Sequence, residues 1–348
     1  MRVPAALLLA AMPFAVHIEA QTDRRSIPGN DVAIFNLAGE LHAVPGTGSD
    51  VVVEITRGGA DAAKLTVQTG ELRGRQTLRI VYPDDRIVYP KMGRNSNTTI
   101  EYDDDGTFDD DHHSGRHRVR ISGSGSGLEA SADLKVSIPN GKRVRFFLGV
   151  GGVWINNVNG ELYVEVAGAD VTTENTKGTL TLDTGSGQVS VKNADGKVDL
   201  DSGSGDVTIT GARGSLLNID SGSGDVKADD VNVDRLEIDS GSGSVSIAGL
   251  TSNTVSLDSG SGSVDLGFKG NVDEMTIDSG SGEVTLRLPS TFSARFEIDA
   301  GSGGVKSDFQ LAVTRYESDR LEGTMGTGKG SVKIDSGSGQ VRLVKSTP

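Results

Sequence analysis

The sequence predicts an all-β chain folded as a parallel β-solenoid (β-helix), with about 18 to 20 residues per coil and a less regular β-rich N-terminal region. Three observations predict it. First, the tract Asp-Ser-Gly-Ser-Gly, with small variations, begins at Asp183, Asp201, Asp220, Asp239, Asp258, Asp278, Asp299 and Asp335. The first six steps run from 18 to 21 residues, and the last, of 36, reads as two turns of 18 with a degraded unit between. A fixed period of this size marks a solenoid, whose repeats cannot bury an apolar face alone and must stack on one another. Second, the residue six places after the Asp is Val in all eight copies, from Val189 to Val341, and the residue before it is always Leu or Ile. Third, the residue three places before it is apolar throughout: Leu180, Val198, Leu217, Leu236, Val255, Met275, Phe296 and Val332. Apolar residues two apart on each side of a Gly-rich corner give strand, tight corner, strand and a variable return loop.

Taken in order, residues 1–20 read as an export signal. Arg2 supplies the charged start, Val3 to Val16 the apolar run, and Ala20 before Gln21 the cleavage point. That run is too short to span a bilayer, and no later segment is apolar enough to be a transmembrane segment of the mature chain. With no cysteine anywhere, neither a disulfide nor a lipid-modified cysteine is available. The expected location is the periplasm, the cell surface or the medium.

Residues 21–117 form the β-rich N-terminal region. Val32–Phe35, Val51–Ile55, Leu65–Val67 and Leu78–Val81 read as short strands between Gly and Asn turns, and they would cap the open end of the solenoid. From about 82 to 117, two prolines, a Gly-Arg-Asn-Ser-Asn tract and two Asp triplets predict a long, poorly ordered acidic loop. Within it, Glu101, Asp103, Asp105, Gly106 and Asp109 match the first nine positions of an EF-hand loop, so Asp103, Asp105 and Asp109 are the candidate Ca2+ ligands. Position twelve is His112 where a bidentate Glu is needed, and no flanking helices are visible, so a solvated acidic loop is the plainer reading. His112, His113 and His117 would be candidates for a transition metal, or an incidental cluster.

Residues 118–348 form the repeat solenoid. Val144, Phe146 and Val153, then Leu162, Val164 and Val171, reproduce the apolar columns upstream of the first Asp tract. A still earlier copy is suggested by Val119, Ile121, the Gly-Ser run after Ser122, and Leu128. The corner glycines, such as Gly241 and Gly243, are expected to hold positive φ. Stacking places the Asp residues in a ladder about 4.8 Å apart, each expected to cap its own corner as an Asx turn, with a calcium array as the alternative.

Composition and outward positions exclude several roles. A net charge of −14 argues against nucleic acid and anionic membrane surfaces, both of which need positive potential. The outward column at Ser190, Thr208, Lys227, Ser246, Asp265, Thr285, Lys306 and Arg342 is too mixed for an ice-binding face. Short return loops such as 192–196 and 248–253 carry no acid–base cluster, so no catalytic residue is assigned and the chain is expected not to be an enzyme. Trp154 and Tyr163 should point outward, where a Trp would either stack on a glycan or be covered by the N-terminal segment.

The stretch from Val32 to Leu41, followed by repeated Leu-x-Ile-Asp-Ser-Gly-Ser-Gly-x-Val-x-Ile units, resembles the bacterial putative-adhesin family of β-strand-repeat domains of unknown function. The resemblance covers most of the mature chain and implies an exported bacterial β-solenoid without known catalytic residues. The expected role is that of a non-enzymatic adhesin or cell-envelope interaction protein using multivalent presentation, with a surface glycan or envelope protein as partner. The alternatives are a carbohydrate-active β-helix enzyme and a calcium-stiffened rod.

Overall fold

The computed structural model describes residues 22–108 and 117–346. Its strands stack as a parallel β-solenoid, and the apolar columns lie in register. Leu180 pairs with Val198, then Leu217, Leu236, Val255 and Met275 in successive coils. On the other side of the corner Val189, Val207, Val226, Val245, Val264 and Val284 form the matching ladder. No residue of either ladder is more than 2% exposed. Burying each such side chain is worth about 1.5–3 kcal/mol, so these two columns are the main stabilising element of the rod.

The corners work differently from the expectation. At six of the eight corners the closing bond comes from the Ser after the Asp. Ser202, Ser221, Ser240, Ser259, Ser279 and Ser336 are buried, and each hydroxyl donates to the carbonyl of the Gly three residues on, at 2.8–3.3 Å. By contrast Asp201, Asp220, Asp239, Asp258, Asp278 and Asp335 point into solvent and accept no such bond. The Asp299 carboxylate does accept from a backbone N–H of its own corner, that of Gly301 at 3.3 Å. Gly241 and Gly243 do not have positive φ. They are glycine because a Cβ would overlap the carbonyl oxygen of the equivalent glycine one coil back, Gly222 or Gly224.

Among the corner glycines Gly187 and Gly301 do hold positive φ, but it recurs coil after coil at the return turn, in a column of Asn157, Asn175, Asn193, Gly211, Asp230 and Gly249. Asn, Asp and Gly are the residues that tolerate this left-handed conformation. The asparagines also bond one another, Asn193 Nδ2 to Asn175 Oδ1 and Asn175 Nδ2 to Asn157 Oδ1, both at 3.0 Å.

At both ends the spatial order of coils departs from chain order. The strand Asp31–Pro45 pairs in parallel with Lys142–Asn156, setting Val32 beside Val144 and Leu41 beside Val153, so residues far upstream supply a true coil. Beyond it lie Arg75–Val81 and Ser131–Ile138, and then the antiparallel strands Thr66–Leu72, Val51–Gly58 and Thr22–Ile27. At the other end the last coil is interleaved: Gly330–Ser336 lies between Glu274–Ser279 and Ala294–Asp299. The 18 extra residues of the 36-residue step are therefore not a degraded turn. They include the antiparallel strands Ala312–Tyr316 and Arg320–Met325, which cap Ala294–Asp299.

The segment expected as an acidic loop at 82–117 is folded over its described part. Arg86–Val88, Asn97–Tyr102 and His117–Ser122 form a separate three-stranded sheet. Val119, Ile121 and Leu128, which mimic a first coil, pack here, with Ile87 bridged to Leu128. This excursion buries Tyr82, Tyr89, Ile100, Tyr102 and Phe108. Its aromatic contacts lie on the outer face of the solenoid: Phe35 stacks on Phe147 at 4.4 Å, Phe108 meets both edge-on, and Tyr163 tilts against Phe147. The Tyr82 hydroxyl lies 2.8 Å from Asn36 Oδ1 and 2.9 Å from the Ala38 carbonyl, pinning the excursion to the strand Asp31–Pro45. Burial holds its phenol well above the usual range.

Candidate functional site

Docking the excursion on the solenoid leaves a groove of about 680 Å³ between them. One wall is the solenoid surface with Trp154, Gly168 and Asp170, and the other is the excursion with Lys91, Asn95 and Asn97. Trp154 alternates with the inward Val153 and Ile155, as the sequence pattern requires, and stays half-buried. Its ring folds back over Gly152, where a Cβ would overlap the indole. Its partner one coil away is His42, which stacks on it at 4.7 Å with the rings 7° from parallel.

An ion-pair cluster closes one end of the groove. Lys91 Nζ lies 2.7 Å from Glu40 Oε1 and 3.8 Å from Asp133 Oδ2, while His42 Nε2 lies 3.5 Å from the other Glu40 oxygen. The hydrogen bond from Lys91 holds the Glu40 carboxyl below the usual range and, reciprocally, raises the Lys91 ammonium. Burial pushes the nearby Tyr89 phenol up to about 12. On the solenoid wall the Asp170 carboxylate accepts the Gln188 backbone N–H at 2.8 Å. The side-chain amides of Asn95 and Asn97 bond no other described residue.

The candidate calcium ligands are arranged for a turn. Asp105 Oδ1 accepts from both the backbone N–H and the hydroxyl of Thr107, at 3.0 and 2.7 Å, and Asp103 Oδ2 lies 3.6 Å from the Arg73 guanidinium. Gly106 has φ +90, which the turn itself uses. Asp109, His112 and His113 lie outside the described residues, and His117 pairs with Asp104 at 2.9 Å. Among the described residues no three His, Asp or Glu side chains converge on a metal-sized site. The export signal at 1–20 also lies outside the described residues, and no helix among them is long and apolar enough to cross a membrane.

Trp154 was the legible part of the groove; Lys91, Asn95 and Asn97 were not, because they stand in the stretch whose composition reads as loop. No curated protein matches the chain. One solved structure, described as a "putative cell adhesion protein from Clostridium sporogenes", is 13% identical at a TM-score of 0.24, with 94% of this chain and 100% of that chain covered. The profile of the Toastrack family, DUF4097, matches residues 84–344, a span holding most of the excursion and all eight of the Asp-led Gly-rich corners. The chain belongs to the Toastrack family.

Proposed function

We propose that the chain is an exported, non-enzymatic interaction protein of the cell envelope, an adhesin in the broad sense, that recognises its partner through the groove at Trp154. One observation carries this reading: a rigid rod holds one half-exposed tryptophan against a polar wall supplied by a separately folded excursion. The carboxylates lining that groove are engaged, Glu40 by Lys91 and Asp170 by the Gln188 N–H, which suits a binding surface better than acid–base chemistry. Along the rest of the rod the corners repeat at coil spacing. Weak contacts to a repetitive surface would add there through effective concentration.

Co-sedimentation of the chain with bacterial envelope fragments tests the reading. Binding should be saturable and should weaken at least tenfold for Trp154→Ala, while Trp154→Phe keeps part of it. Equal binding by the wild type and Trp154→Ala would remove the groove from the account.

A further inference from the structure

We infer that the groove beside Trp154 binds a neutral pyranose ring, presented by a polysaccharide or a glycan; the inference rests on the groove being the recognition site. The aromatic wall comes first. Gly152 leaves room for the indole to lie along the strand, and His42 stacks on it from the coil of Asp31–Pro45. On the other side of Trp154 lies the coil of Gly168 and Asp170, which lines the groove. A flat aromatic surface beside a polar trough suits a sugar ring, which has an apolar C–H face and a hydroxyl edge.

The facing wall supplies the hydroxyl partners. Asn95 and Asn97 project from the excursion, and each amide offers two donors and an acceptor that no other described residue uses. Asp170 keeps acceptor capacity beyond the one bond it receives from Gln188. A volume near 680 Å³ falls within the range of about 300–1,000 Å³ in which small-ligand sites occur.

Charge decides which sugars fit. Glu40 and Asp170 line the groove against one ammonium, Lys91, which is already paired with Glu40 and with Asp133 behind it. That balance repels uronates, sialates and phosphates, and with them nucleotides, whose bases would otherwise suit the indole.

The chain has a single tryptophan, so its emission reports this site alone. Fluorescence titration and calorimetry with cellohexaose, mannohexaose and the hexamer of N-acetylglucosamine should give a saturable response to at least one. Hexagalacturonate should bind at least tenfold more weakly. Asn97→Ala should weaken the neutral ligand at least fivefold without moving the melting temperature, a readout that holds even if Trp154→Ala perturbs folding. Silence from all three neutral probes by both methods overturns the inference, and so does equal binding of the uronate. Should envelope binding nonetheless depend on Trp154, the groove is a recognition site for something other than a sugar. Should envelope binding ignore Trp154, the functional reading itself falls.

Discussion

The middle coils and the two ends of this rod are built from the same ladder by different rules. Between Asp183 and Asp278 each coil pairs with the one that follows it in the chain, and one residue type per column is enough to specify the stack. At the ends, sequence neighbours are not spatial neighbours. Asp31–Pro45 docks on Lys142–Asn156, and the last coil slips between two earlier ones before antiparallel strands close the stack. The difference shows that a parallel ladder carries no direction to stop. Both ends therefore use strands of reversed polarity, which cannot continue the column of corners, to blunt an edge that would otherwise recruit another chain.

The largest test of this contrast is to end the chain after Lys329. Were the last coil terminal in space, its loss would be mild. Because Val332, Ile334, Val341 and Leu343 are buried between two other coils, urea unfolding should show a loss of about 6 kcal/mol or more, with broken cooperativity. Next is Gly243→Ala, where the Cβ overlaps the Gly224 carbonyl and neither backbone can yield, expected to cost about 3 kcal/mol. Gly270→Ala, with no atom within 4 Å of its Cβ, should stay within about 0.5 kcal/mol in the same assay. Ser240→Ala removes the 2.8 Å bond to the Gly243 carbonyl and should cost about 1–2 kcal/mol, whereas the exposed corner Ser242→Ala should be near neutral.

Smaller still is the tie between excursion and rod. The Glu40 carboxyl is depressed from 4.5, so its contribution is present above that value and is lost as pH falls through the folded-state value. The Lys91 ammonium is raised from 10.5, so its contribution holds below that value and is lost as pH rises through the folded-state value. Both groups are partly exposed and screened. Lys91→Met should therefore lower stability by only about 0.5 kcal/mol between those limits, with the difference shrinking in acid titrations as pH falls from 4.5 through the folded-state value of Glu40. Least of all, neutralising Asp220, Asp239 and Asp258 together should raise the melting temperature by about one or two degrees at low salt and by nothing at high salt. A large fall on that triple change would restore the Asx-turn role that the structure gives to serine.

How much of this was legible varies with the kind of signal. The inward columns were, because burial repeats one chemical type at one offset. The buried Ser was within reach too, since the alternation that puts Leu200 inside and Asp201 outside also puts Ser202 inside. The return-turn column ten residues after the Asp, at Asn193, Gly211, Asp230 and Gly249, was hidden by its mixed chemistry, for these residues share only tolerance of positive φ. The excursion was hidden for another reason. Tyr82, Tyr89, Tyr102 and Phe108 are scattered among prolines and acids with no local period, and much of their cover comes from distant residues such as Phe35, Asn36 and Phe147. Of the candidate groove, Trp154 could be placed from strand alternation, while its facing wall could not.

By itself the sequence determined the coil: its length, its two inward columns, its Gly-rich corner and the outward position of Trp154. Those follow from local rules, strand alternation and the need to bury a repeated apolar face. The tertiary structure alone decided which coil lies beside which, where the stack stops, and that an acidic, proline-bearing stretch folds against the rod to make a groove. The physical reason is that every coil presents the same backbone edge, so local pairing preferences are nearly degenerate. Only the buried contacts of the assembled ends, made between residues far apart in the chain, select one order among them.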